Sequence, residues 1–347
     1  MITETELQEI RNFLNKAENP LFLFDDDQDG LASFLVLWKY TKKGKGMPIK
    51  GQLNETISEK INREKADLVL ILDKAVIEED FVMGIKTPII HIDHHQPLTI
   101  ESSHYHYYNP RKENDKDNRP TSYWAYQITK KDLWIAMIGI IGDWYIPPEL
   151  IEEFQKQYPG LIPEAKHPGQ IIFDTDFGIL IRNFIFALKG NGQNSKQCIK
   201  VLTRIESPWE IMKQETPQGK FIWKHYAQME KKYQNTLEEA KKVKTRSKIF
   251  LYTYPSSQDS FTSLISNEII YRKPDKVVII GRIKDDKVVM SLRSTKIKLP
   301  EIIKKSLEGL TGYGGGHDLA CGANVLNEEF GIFMTRFKKY ISEENKK

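Results

Sequence analysis

Three of the chain's eight histidines fall within five residues, His91-Ile92-Asp93-His94-His95. They follow the apolar run Pro88-Ile89-Ile90, which places imidazoles and a carboxylate where a buried strand runs out into a loop. In open α/β sheets the carboxyl ends of strands are where ligands bind. Imidazole with carboxylate is a ligand set for manganese, iron or zinc. A lone histidine would read as a satisfied core residue; a cluster at a strand end reads as a site.

Carboxylates gather in similar places elsewhere. Leu21-Phe22-Leu23-Phe24 runs into Asp25-Asp26-Asp27-Gln28-Asp29-Gly30. Asp25, Asp27 and Asp29 share the alternate spacing that points side chains one way in extended chain. Crowded on one side they repel, and a bound cation is the simplest relief. A solvated acidic turn, or an N-cap for a following helix, would use the same residues. An EF-hand is excluded, because a strand-like run precedes and the twelfth position from Asp25 is Val36 rather than Glu. Asp73 closes the apolar run Leu68–Leu72, and Asp143 closes the small, apolar segment Ala136–Gly142. Each alone is an ordinary cap or turn residue. Together these endings supply enough ligands for two divalent cations, a device for in-line attack on phosphorus.

These segments resemble the motifs of the DHH phosphoesterases: DDDQDG at 25–30, the strand-terminal Asp73, DHH at 93–95 and GD at 142–143. Gly314-Gly315-Gly316-His317-Asp318-Leu319-Ala320-Cys321-Gly322 resembles the signature of the DHH-associated domain. Order and spacing agree from about residue 20 to 325. The Asp-opened first motif is similar to that of RecJ and archaeal RecJ-like nucleases. Lys74 departs from the pattern, since small residues are common after the strand-terminal Asp. The resemblance implies one cation on Asp25, Asp27 and Asp73 and a second on Asp29, Asp73, His94 and Asp143. Mn²⁺ is the expected ion, with Mg²⁺ an alternative. It implies that His95 and Arg293 offset charge on the phosphoryl oxygens, and that Arg293, His317 and Gly314, Gly315 and Gly316 hold substrate phosphate. Asp93 and His91 are expected to support the ligands.

The implied activity is exonucleolytic cleavage of single-stranded DNA or RNA. Two other readings stay open: a phosphoesterase of short oligonucleotides, pAp or cyclic dinucleotides, and a non-catalytic replication scaffold that works through replication or repair proteins.

Positioning such a site calls for an α/β protein. Residues 20–145 read as strands alternating with helices, the pattern of a parallel sheet. With the resemblance, this pattern implies a DHH metal-binding domain over 1–185, a helical connector over 186–245 and a smaller α/β DHH-associated domain over 246–347. The segment 312–317 reads as a glycine-rich phosphate-binding loop. Thr121-Ser122 reads as a candidate substrate contact, and the alternating aromatics of 103–108 as a strand or a base-stacking surface.

Charge is uneven along the chain. Residues 1–190 hold 22 Lys+Arg against 29 Asp+Glu, a balance of −7, and residues 191–347 hold 29 against 18, a balance of +11. The proposed metal half is acidic; the basic half suits a polyanion. Two cysteines in 347 residues give no disulfide framework, and a reducing cytoplasm is expected. No signal peptide or membrane span is expected from the sequence.

Overall fold

The structure, a computed structural model, describes residues 1–255 and 259–344. It divides into two compact units, 1–226 and 227–347.

The first unit is built on a five-stranded sheet. In chain order its elements begin with α1 (Glu4–Lys16), β1 (Pro20–Asp25), α2 (Gln28–Thr41), β2 (Lys45–Ile49) and α3 (Glu55–Arg63). Then come β3 (Leu68–Leu72), α4 (Glu79–Gly84), β4 (Ile89–Ile92) and β5 (Tyr105–Tyr108). All pairings are parallel, in the order β2-β1-β3-β4-β5. The strands read as unbroken apolar runs because both faces are buried. Phe22, Phe24, Leu68, Leu70 and Leu72 face one core, which includes residues of α2. Leu21, Leu23, Val69 and Ile71 face the other, which includes residues of α3 and α4.

Helices continue as α5 (Thr121–Thr129), α6 (Leu133–Gly142), α7 (Pro148–Gln157) and α8 (Pro168–Asp174). Next are α9 (Asp176–Ala187), α10 (Gly192–Leu202), α11 (Pro208–Met212) and α12 (Pro217–Lys241). The division between the two units falls at Tyr226, inside α12. α6 is buried on all sides, which accounts for its continuous apolar sequence. The aromatics of 103–108 form β5, with Tyr105, Tyr107 and Tyr108 buried in the sheet rather than displayed.

The second unit carries β6 (Ile249–Pro255), α13 (Thr262–Arg272), β7 (Val277–Lys284), β8 (Lys287–Arg293) and α14 (Pro300–Leu307). It ends with β9 (Gly312–His317), β10 (Ala320–Leu326) and α15 (Phe330–Glu344). Its sheet runs β6-β7-β8-β10-β9 and is antiparallel except for β6 with β7. The glycine-rich segment expected as a loop is the edge strand β9. Extended pairing with Val325–Ala320 is possible because Gly314 leaves room: a Cβ there would stand 2.6 Å from Ile303 Cγ2 and 2.8 Å from Ala323 Cβ. Among the described residues no helix is long and apolar enough to cross a membrane.

Candidate functional site

The strand order of the first sheet dictates where its ligand belongs. β1 lies between β2 and β3, so successive connections leave it in opposite directions. Such a switch point opens a crevice outside the carboxyl ends of the two central strands. Asp25 ends β1, and Asp73 follows β3 directly. β4 lies next to β3 and delivers Asp93, His94 and His95 to the same edge. α2 starts close against β1: a Cβ on Gly30 would fall 2.6 Å from the Asp25 carbonyl oxygen. That glycine lets the acidic turn fold back over the strand end.

His94 Nε2 is the hub. It lies 3.3 Å from Asp73 Oδ1 and 3.4 Å from Asp143 Oδ2. Asp73, His94 and His95 offer ligand atoms within 4.8 Å of one another, and so do Asp29, His94 and Asp143. Asp143 enters as the residue that caps the C-terminus of α6, not from a strand. Asp25 and Asp27 stand differently. Asp27 caps α2, accepting from the Gly30 N–H at 2.9 Å, and Asp25 Oδ1 accepts from Lys74 Nζ at 2.5 Å.

Two supports were invisible to sequence reasoning. Asp29 accepts from the backbone N–H groups of Thr121 at 2.8 Å and Ser122 at 3.0 Å, and from the Ser122 hydroxyl. It therefore caps the N-terminus of α5 from another helix. Thr121 Oγ1 donates to Asp73 Oδ1 at 3.2 Å. Thr121 and Ser122, read as substrate contacts, are fully buried and hold two carboxylates instead. Only the polar loop before Pro120 marked this stretch.

Asp93 aims His95. It accepts from His95 Nδ1 at 2.8 Å and from the His95 backbone N–H at 3.1 Å. Tyr107 Oη and Asn109 Nδ2 also donate to it, at 3.3 and 3.2 Å. His91 sits elsewhere, with Nδ1 2.7 Å from Tyr105 Oη and its ring stacked on Tyr107. Burial drives the His91 pKa down to about 4, so it is a neutral packing residue near pH 7.

The electrostatics show a deficit of positive charge. Burial, then the charge of Asp73, pushes the carboxyls of Asp27 and Asp29 well up. Burial takes Asp143 up to about 6 against the pull of His94. Burial also acts to raise Asp73, but hydrogen bonding and charge from His94, with help from His95, outweigh it and hold Asp73 down. Burial alone would lower His94, yet Asp143 and Asp73 carry it well above its ordinary value. A proton on His94 thus stands where a cation would relieve the same carboxylates. This donor set, carboxylate with imidazole, fits a divalent ion.

The second unit gathers a different group. Arg293, Ala320 and His317 are register partners across β8, β10 and β9, so they form one row on one face of the sheet. Arg293 has no carboxylate partner among the described residues. Its Nε donates to Asn267 Oδ1 at 2.6 Å, its Nη2 to Ser263 Oγ at 3.0 Å, and its Nη1 to the carbonyls of Leu292 and Cys321. Burial lowers its pKa to about 10. Gly314, Gly315 and Gly316 and His317 are exposed along β9.

Residues 258–343 match the family described as the DHHA1 domain. The fold of the whole chain is similar to that of RecJ from Thermus thermophilus in complex with Mn²⁺. The TM-score is 0.71 at 15% identity, over 97% of this chain and 55% of that one. Residues 258–343 are thus of the DHHA1 family, and the chain as a whole has a RecJ-like two-domain fold. A structure described as exonuclease RecJ bound to manganese gives a TM-score of 0.65 at 15% identity, over 99% and 95% of the two chains. The pGpG-specific phosphodiesterase PggH from Vibrio cholerae gives 0.52 at 13% identity, over 94% and 99%. The chain spans about half of the Thermus RecJ and almost the full length of the other two. A search of curated protein sequences finds no match.

Proposed function

We propose that this DHH protein is a divalent-metal-dependent phosphodiesterase that cleaves single-stranded nucleic acid from an end. The carrying observation is His94 held between Asp73 and Asp143, with Asp29 alongside, at the switch point of a parallel sheet. Asp29, Asp73, His94 and Asp143 would hold a cation, with Mn²⁺ favoured over Mg²⁺ by the imidazole. Bound there, a cation supplies Lewis acidity toward a phosphoryl oxygen and its attacking water. The chain's own residues do the rest. Thr121 fixes the Asp73 carboxylate. Asp93 holds a proton on His95 Nδ1 and so sets the ring to face a phosphoryl oxygen. Arg293 and His317, in one row, offer donors to a phosphate. The free, buried Cys198 and Cys321 fit a reducing compartment, and we place the protein in the cytoplasm.

The test is a digestion of end-labelled DNA and RNA of graded length in Mn²⁺, with products separated by size. Mononucleotides released stepwise from long single strands, at a rate that falls with salt, support the nuclease reading. Hydrolysis confined to dinucleotides or cyclic dinucleotides supports the short-substrate reading, which the full-length match to PggH favours. No hydrolysis of any substrate, with metal bound, leaves the replication-scaffold reading.

A further inference from the structure

Lys74 is buried beside the metal-binding cluster, with its side chain only 7% exposed. Its ammonium has three protons and three acceptors. Asp25 Oδ1 lies at 2.5 Å, the Gly51 carbonyl at 2.8 Å and the Ile49 carbonyl at 3.4 Å. Two of these are backbone oxygens at the end of β2 and just beyond it, so their positions are set by the sheet rather than by the lysine. A long side chain lying on a surface would keep its head in water. This one ends in a pocket that satisfies every donor.

The ligand atoms divide accordingly. The two groups able to surround an ion are Asp73 with His94 and His95, and Asp29 with His94 and Asp143. Among the described residues, neither Asp25 nor Asp27 joins such a group. Asp27 is held by the Gly30 N–H and by a side-chain hydrogen bond with Asp73, and Asp25 is engaged by Lys74. Lys50 adds a further positive charge on this side, with Nζ 3.5 Å from Asp26 Oδ2. A divalent ion on Asp25 would have to use Oδ2 or take Oδ1 from the ammonium, and in either case would sit next to that ammonium. The opposite side of the cluster contains no lysine or arginine contact among the described pairs.

We propose that the Lys74 ammonium is a built-in counter-cation for the Asp25 side of the centre. The protein then holds one divalent cation tightly, on Asp29, Asp73, His94 and Asp143, and a second only weakly. The inference rests on the reading of this cluster as a metal centre. It departs from the pair of equivalent cations that the family resemblance implies, and it gives the unusual residue after Asp73 a task.

The experiment counts Mn²⁺ on the full-length protein by equilibrium dialysis, with free Mn²⁺ read by electron paramagnetic resonance. Wild type is expected to bind one ion tightly and a second about tenfold or more weakly. Lys74→Met should tighten the second ion by about tenfold, and Lys74→Arg should not, since charge is retained. Should Lys74→Met fail to fold, Asp25→Asn serves in its place. It should leave the affinity of the tight ion within about threefold and abolish the weak one. Two ions of equal affinity in wild type overturn the proposal. So does an unchanged second affinity in Lys74→Met, or an Asp25→Asn variant that loses the tight ion. Wild type that binds no Mn²⁺ at all refutes instead the metal centre itself.

Discussion

Asp29→Ala should destabilise the metal-free protein, although it removes a carboxylate from a crowded acidic cluster. The native carboxylate accepts from two backbone N–H groups and a hydroxyl at the buried N-terminus of α5. Leaving a buried donor without an acceptor costs about 1–3 kcal/mol, so the two N–H groups account for about 2–6 kcal/mol. Relief of repulsion works the other way. It comes from the charges of Asp73 and Asp143, which with burial push the Asp29 carboxyl up, and it offsets only part of the lost hydrogen bonding. A net loss of about 2–5 kcal/mol should lower Tm by roughly 4–20 °C for a unit of this size. Asp29→Asn keeps one acceptor oxygen and should lose about half as much. Asp143→Ala is the control, because Asp143 faces His94 and caps nothing with its side chain. Thermal unfolding at pH 6 in excess chelator, followed by circular dichroism, reads all three. An Asp29→Ala midpoint within about 2 °C of wild type, or equal to that of Asp143→Ala, refutes the capping argument.

Mn²⁺ affinity should rise as pH climbs through about 6, because Asp143 must give up its proton to bind it, and the raised carboxyl of Asp29 and imidazole of His94 act in the same direction. Titration calorimetry checks this, and a flat profile removes these groups from the ligand set. Without metal the sign reverses for Asp143: its raised pKa stabilises the fold at low pH. That contribution fades as pH climbs from about 3.9, the unfolded value, through about 6. Asp93→Asn should keep bound metal but cut turnover by about 10- to 100-fold, since the ring of His95 loses the charged acceptor that orients it. Arg293→Ala and His317→Ala should leave metal stoichiometry intact and lower turnover by about 10²-fold. Arg293→Lys should rescue little, because one ammonium cannot replace a guanidinium that bonds Asn267, Ser263 and two carbonyls at once. Normal turnover in both Ala variants would remove the second unit from the reaction.

The strand-ending acids were legible because an apolar run with no alternation means a strand buried on both faces. Whatever follows it must emerge at the sheet's edge. Asp25, Asp73 and the histidines at 94 and 95 were found that way. The partners of these residues were not legible. Lys74 meets Asp25 across 49 residues, and Thr121 meets Asp29 across 92. Such pairings depend on strand order, and one sequence does not state that order. The glycine segment misled for a local reason: glycine is scarce in strands, and only the neighbouring Ile303 and Ala323 explain why it is required in this one.

Asp73 has a consequence for how any variant at its position must be interpreted. Its φ is 61°, in the left-handed region that side chains with a Cβ rarely enter. The backbone bend that turns the chain out of β3 is therefore made by the same residue that supplies the central carboxylate. An alanine there removes the carboxylate and also stresses the bend, so lost activity would mix two causes. Asparagine tolerates this conformation and keeps the side chain's shape without its charge, whereas glycine eases the bend and deletes the side chain. Comparing the two separates what the carboxylate contributes from what the turn demands.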